Sequence, residues 1–344
     1  MIPPVLRLGR TFSVRLAPRG AAACAVLAAA TAAVALVSLG DGEVRIPLPD
    51  VVAALTGRAG GLERTVVVGW RLPRVLLAVL LGAALGMSGA VFQSYTRNPL
   101  GSPDVIGFGT GAHTGALVAM ILLGGSYPQV AAGALAGGFG TAVLVYLAAG
   151  RGGVRGARLI ISGIAIAAML AGLNTWLMTA AKMEVAMAAA AWGAGTLNGV
   201  GWEQARPAIA VLALLLPAAA LLSRPMRQLE LGRDTATALG LRTTATETAM
   251  ITIGVALTAT ATAAAGPVAF IALAAPQIGR RLARSAGTAL APAAFTGAFL
   301  LVTADWLART LFAPAQLPVG VLTVVLGGLY LLWLLIRQAR SPGA

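Results

Sequence analysis

The chain has 344 residues, of which 58% are apolar and only 10% charged, with a mean hydropathy of +0.86. A water-soluble chain of this size keeps about a quarter of its residues charged, so lipid is the expected solvent for most of this one. The net charge of +14 comes from arginines scattered at the ends of apolar runs, with no basic face interleaved with aromatics, which argues against a nucleic-acid partner. Cys24, His113 and Lys182 are each the only residue of their type. A disulfide framework, a Cys-based or multi-His metal centre and a P-loop are therefore all excluded. The chain is expected to need no cofactor, and any ATP-driven work has to come from a partner.

Residues 1–20 form a basic N-terminal segment carrying Arg7, Arg10, Arg15 and Arg19, followed by an apolar run at 21–39. A cleaved signal peptide would also have this shape. The length of the run and the number of spans that follow favour a retained first span. Further apolar runs lie at 75–92, 105–123, 130–149, 159–181, 208–222, 249–265, 268–278, 293–311 and 319–336. This makes ten candidate spans, most of them close to the ~20 residues that cross a bilayer. The eighth is short and contains Pro276, so it is expected to be tilted or broken. The whole chain reads as one all-α transmembrane domain, 1–344. Transporters of this size are often built from inverted repeats, and a five-plus-five repeat is expected, although residue identities do not display it. With both termini placed inside, 17 basic residues fall on the inner side and 8 on the outer, the bias of a cytoplasmic face. Segments 40–70 and 182–203 are then outer, the second read as an interfacial helix with Trp192 and Trp202 at headgroup level. Segment 223–247 is the main cytoplasmic loop.

Several short motifs stand at span ends. In Arg71-Leu72-Pro73-Arg74, at the outer start of the second span, the guanidiniums could anchor the helix end or pair with carboxylates of an extracytoplasmic partner. The second span carries Gly82, Gly86 and Gly89 at spacings that allow close helix approach. It then meets Asn98-Pro99-Leu100-Gly101-Ser102-Pro103, which breaks the helix ahead of the glycine series Gly107, Gly109, Gly111 and Gly115. Non-helical backbone at membrane depth persists only beside protein or a water-filled cavity, so a packed or pathway-lining span is expected. In the cytoplasmic loop, Asp234 is expected to cap a short helix over 235–239, with Gly240 at its C′ position. Such a helix could dock on a motor subunit or be an ordinary loop helix. Gly266-Pro267 makes a second break, leading into a span that ends at Arg280-Arg281. Asp305, the clearest acid in an apolar run, has Arg309 one turn later, the spacing of an i,i+4 ion pair. His113 is read as a buried or pore-facing polar residue.

In their order and spacing, the elements at 71–74, 86–100, 102–107, 192–197, 238–241, 266–271, 276–280, 304–309 and 317–320 resemble the FecCD-type permeases, importers of iron-siderophores, haem and cobalamin. The resemblance runs from residue 66 to the C-terminus. It implies an ABC importer permease of the cobalamin-permease type, acting by alternating access with a second permease (identical or paralogous), a cytoplasmic ATPase dimer that holds ATP and Mg, and an extracytoplasmic binding protein. It implies docking of that protein on Arg71, Arg74 and Arg309, and ATPase coupling through Asp234, Thr235, Ala238, Leu239, Gly240 and Leu241. Asn98, Pro99, Gly107, Gly111, Gly266 and Pro267 would form the pathway or its helix breaks, and Gly156-Ala157 a cytoplasmic gate. The implied location is the bacterial inner membrane, multi-pass, with both termini cytoplasmic. Gln277 stands where the family often has His, and Gly327-Gly328-Leu329 where it often has Gly-x-Pro, which affects local packing only. An ion-coupled secondary transporter is the main rival reading, weakened by the scarcity of intramembrane carboxylates. An intramembrane enzyme lacks the residues for a nucleophile–base pair or a metal centre.

Overall fold

The computed structural model describes residues 5–8, 12–15, 18–150, 156–313 and 315–339. A two-stranded antiparallel hairpin, β1 (Val5–Leu8) and β2 (Phe12–Arg15), precedes an otherwise helical chain. Helix α1 (Pro18–Gly40) is followed by the short α2 (Leu48–Leu55) and α3 (Gly61–Arg64). From α3 a π-turn over Thr65–Arg71 leads straight into α4 (Leu72–Thr96). Then come α5 (Phe108–Leu122), α6 (Tyr127–Ala149), α7 (Gly156–Ala180), α8 (Met183–Gly193) and α9 (Trp202–Leu221). The short α10 (Ser223–Glu230) and α11 (Arg233–Ala238) lead to α12 (Thr243–Ala265), α13 (Ile271–Ala283), α14 (Leu290–Thr310) and α15 (Val319–Ala339).

Each of the ten expected spans has its helix. Among the described residues, seven helical stretches are long and apolar enough to cross a membrane, and Phe108–Leu122 and Val319–Trp333 are shorter apolar ones. The eighth expected span is α13, only 13 residues long, with Pro276 inside it and Arg280 and Arg281 in its last turn. The long helices run back and forth between two faces. One carries α10 and α11 and is called the loop face here. The other, holding α2, α3 and α8, is the far face.

Core and periphery differ sharply. About 78% of the apolar window of α4, 67% of that of α12 and 56% of that of α14 is buried, against 22% for α1 and 17% for α7. The central helices owe this to small residues. A Cβ on Gly82 would run into the carbonyl of Gly297, and one on Gly86 into that of Ala293, so α4 and α14 touch backbone to backbone. The same happens between α5 and α6 at Gly115 and Gly133. Such contacts give close dispersion packing where lipid offers no hydrophobic drive between helices. The exposed apolar side chains of α7 (Ile161, Ile164, Met169, Leu173, Trp176) are left for lipid or another subunit.

Both expected helix breaks are present. Arg97 and Gly107 take left-handed backbone around the first, Gly266 and Phe270 around the second. The first precedes α5, which runs from the loop face towards the far face, and the second precedes α13, which runs the opposite way. A repeated break and short helix with reversed direction is the layout of an inverted repeat.

Two expectations are corrected. The 182–203 segment is not one interfacial helix. α8 stops at Gly193, and 194–201 forms a turn pinned by Thr196 N–H to Ala265 O (2.7 Å) and Gly320 N–H to Gly195 O (2.9 Å). Gly195 has a positive φ and no room for a Cβ against Pro267, so a continuous helix is blocked. Nor do the two tryptophans act simply as headgroup anchors. Trp192 packs on His113, ring centroids 5.7 Å apart, and Trp202 donates its indole N–H to Val68 O (2.9 Å). That carbonyl is free for a local reason. Leu72 N–H bonds Val67 O in the π-turn, and the next donor in that pattern falls at Pro73, which has none.

Candidate functional site

At the far face the start of α4 lies against the end of α14. Arg74 holds Asp305 with a bidentate fork: Nη2 donates to Oδ1 at 2.8 Å, and Nε lies 3.0 Å from both carboxylate oxygens. Asp305 is fully buried and Arg74 nearly so. Arg309 does pair with Asp305 one turn away, but at 3.6 Å (Nε to Oδ2), and it also donates to Ser38 Oγ and Ser38 O on α1. The i,i+4 pair foreseen from spacing is thus real but secondary. The stronger partner, Arg74, is 231 residues away in sequence, and no local pattern pairs the two.

Arg71 donates to Leu39 O (2.8 Å) and Val44 O (2.6 Å) and, among the described residues, has no carboxylate within ion-pair distance. Arg71, Arg74 and Arg309 all line one cleft of about 430 Å³, together with Gln316, Trp70 and Glu43. Among the described residues, Asp305 is the one carboxylate that pairs with any of the three guanidiniums. Arg309 Nε is buried without a hydrogen bond. Such a cleft suits an entering anion, and a carboxylate on a rigid partner would complete the bonding of the arginines.

The pathway residues foreseen from sequence fall in two places, one towards each face, and α13 runs from the second to the first. Asn98 Oδ1 accepts from Leu100 N–H, and Gln277 on α13 donates from Nε2 to Pro99 O at 2.8 Å. Gln277, a departure from the family pattern, thus links the first break to the helix that follows the second. Gly107 packs against Gly163 and Ala167 of α7, and Gly111 against Gly137 and Thr141 of α6. Gly266 lies on Trp192 O, with Pro267 against Gly195. Gly327, where the family pattern also departs, packs on Phe270, the left-handed residue that opens α13. His113 Nε2 has no hydrogen-bond partner and sits beside Gly193. Gly156 and Ala157 open α7, and residues 151–155 leading to them, including Arg151 and Arg155, lie outside the described residues.

At the loop face the expected short helix is α11, but its cap differs. Gly232, with a φ of 113°, is the N-cap and makes no side-chain cap bond. Asp234 lies in the first turn, where its charge still complements the helix dipole. Thr235 and Ala238 lie within the helix, and Gly240 takes a φ of 83° with Leu241 N–H bonded to Ala236 O (3.0 Å). Asp234, Thr235, Ala238, Leu239 and Gly240 are all exposed, as a docking element requires.

A helical membrane bundle with broken inner helices, a cationic cleft on one face and a short exposed helix on the other defines a transport subunit that works with partners. A model of the FecCD transport family matches residues 30–337. The ferric enterobactin transport system permease protein FepG of Escherichia coli (strain K12) is 51% identical over 92% of this chain and 96% of its own length. The Fe(3+) dicitrate permease protein FecD of the same organism is 36% identical (90% and 96% covered). The vitamin B12 permease protein BtuC of Escherichia coli O157:H7 is 35% identical (78% and 83%). A solved structure described as the inward-facing conformation of a metal-chelate type ABC transporter superposes with a TM-score of 0.82 at 26% identity, covering 91% of this chain and 98% of that one. The chain belongs to the FecCD transport family: it is a permease subunit of an ABC importer, and ATP hydrolysis falls to a partner subunit.

Proposed function

We propose that this permease imports ferric enterobactin or a closely related ferric siderophore. The observation carrying this is the 51% identity to the ferric enterobactin permease protein, set against 36% or less for the relatives named for dicitrate, hydroxamates and vitamin B12. The reading places the chain in the bacterial inner membrane with its loop face and both termini cytoplasmic, in line with the arginine bias. Its partners are a second permease, an ATPase dimer and an extracytoplasmic binding protein. The unburied apolar side chains of α7 and of α15 (Val321, Val324, Leu329, Leu332) supply the surface for the second permease. The cleft of Arg71, Arg74 and Arg309 receives acidic side chains of the binding protein. The helix α11 and Gly240-Leu241 rest on the ATPase, and the breaks at Asn98-Pro99 and Gly266-Pro267, with Gly107 and Gly111, shape the pathway behind a gate near Gly156-Ala157.

The test is uptake of labelled chelates by a strain lacking the gene, with and without the restored chain. Ferric enterobactin, ferric dicitrate, a ferric hydroxamate and vitamin B12 are compared. Loss and recovery of ferric enterobactin uptake alone is expected. Unchanged ferric enterobactin uptake in the deleted strain, with one of the others lost, would overturn the substrate reading.

A further inference from the structure

Helix α11 is tied to α12 by Arg233, which pairs with Glu247 at 3.6 Å and donates to Thr244 Oγ1 at 3.1 Å, and towards α4 and α14 by a side chain that nothing above assigns. Glu230 is the last residue of α10, separated from α11 only by Leu231 and Gly232. Its Oε1 accepts from Thr288 N–H at 2.9 Å and from Ser94 Oγ at 3.3 Å. Ser94 lies in the last turn of α4, and Thr288 in the turn just before α14, whose N-cap Ala289 makes no side-chain cap bond. Glu230 therefore holds the turn that leads into α14. Beside it, Leu229 O accepts from Arg97 Nη2 at 3.1 Å. The other carboxylate oxygen, Oε2, sits where a Cβ on Gly287 would be.

The elements so joined are α4 and α14, the pair that touches backbone to backbone at Gly82, Gly86 and Gly297. At their other end, Arg74 and Asp305 hold the same two helices together. We infer that Glu230 is the positioning residue through which the coupling helix acts on the α4–α14 pair, and so on the arginine cleft at its far end. This rests on α11 being the ATPase contact. On its N-terminal side a displaced α11 pulls first on Leu231–Gly232, and the next fixed points there are the two hydrogen bonds of Glu230. The cleft of about 310 Å³ next to it, bordered by Gln93, Asn98, Pro99 and Arg280, gives the turn room to shift.

The test uses the whole complex with its ATPase in proteoliposomes and whichever of the four chelates the wild type imports. ATP hydrolysed per chelate imported is the readout, because a merely structural loss would lower both without changing their ratio. Glu230→Gln keeps an acceptor oxygen and should stay within about twofold of wild type, whereas Glu230→Ala should raise the ratio about tenfold, as expected for losing a hydrogen bond to a charged group. Gly287→Ala pushes the carboxylate aside while leaving it present, and should move the ratio the same way if Glu230→Ala does not accumulate. A wild-type ratio in both Glu230→Ala and Gly287→Ala overturns the inference, as does a Glu230→Gln variant uncoupled as badly as the alanine. Ala236→Pro, which breaks α11, is run alongside. If it leaves the ratio normal, the coupling role of α11 falls. If it uncouples while the Glu230 and Gly287 variants do not, only the relay falls.

Discussion

The α4–α14 pair is fastened at both ends, and the two fastenings are opposite in kind. At the far face one carboxylate, Asp305, is gripped by Arg74 at 2.8 Å and flanked by Arg309, all in a nearly dry setting. At the loop face one carboxylate, Glu230, is held by a backbone N–H and a serine hydroxyl in a half-buried site beside a cleft. A buried charge deprived of its partner is costly, so the first fastening is a lock. A hydrogen bond near water exchanges for solvent at small net cost, so the second can release and re-form. The difference suits a part that must stay rigid where a receptor lands and yield where a motor pulls.

The sharpest way to break this contrast is at Asp305. Asp305→Asn keeps the shape but leaves Arg74 and Arg309 buried without a countercharge. We expect a loss of about 3–5 kcal/mol, seen as a much lower melting temperature in detergent and poor accumulation in the membrane. A melting temperature within a degree or two of wild type would show that water or another group satisfies the arginines, and the far fastening would not be a lock.

Next in size is docking. Arg74 is committed to Asp305, so reversing its charge confounds docking with folding, and Arg71 is the cleaner probe. Its guanidinium donates to the carbonyls of Leu39 and Val44 and, among the described residues, makes no ion pair. Arg71→Glu should weaken binding of the loaded binding protein about tenfold, the scale of a charge-paired interface contact, with the melting temperature little changed. The wild-type affinity should also fall as salt rises, since exposed charges are screened. Equal affinity in Arg71→Glu and wild type, by surface binding assay, would remove this residue from the docking surface.

Much of this architecture could be read in the sequence, and the reason is physical. Spans announce themselves because lipid demands about 20 apolar residues, and breaks because Asn98-Pro99 and Gly266-Pro267 withdraw backbone donors. The three arginines of the cleft could be named from the family resemblance, on motifs that stand at span ends. What stayed hidden was partnership across the fold. Nothing near Arg74 points to Asp305, and nothing near Glu230 points to Thr288. Glu230 is one acid among ordinary loop residues, and only the packing of α10 under the turn before α14 makes it singular. The cap of α11 differs from the expected one for a related reason. Asp is a good N-cap in general, but here Gly232 takes the positive-φ bend out of α10, and the helix starts two residues earlier than Asp234 would set it.

The smallest effect concerns the π-turn that aims Arg71 and Arg74 into the cleft. Val68 O would lack a donor because Pro73 has no N–H, and Trp202 supplies one at 2.9 Å. Trp202→Phe keeps most of the ring and removes only the donor, so about 1 kcal/mol of stability should be lost, read as a modest drop in melting temperature. Pro73→Ala restores a backbone N–H in the same turn, so it should cost less in the Trp202→Phe background than in wild type, because the new donor then has an empty acceptor to fill. A double-mutant cycle measures this coupling directly. Strict additivity would mean that the indole and the missing proline donor are unrelated, and the turn would then owe its shape to packing alone.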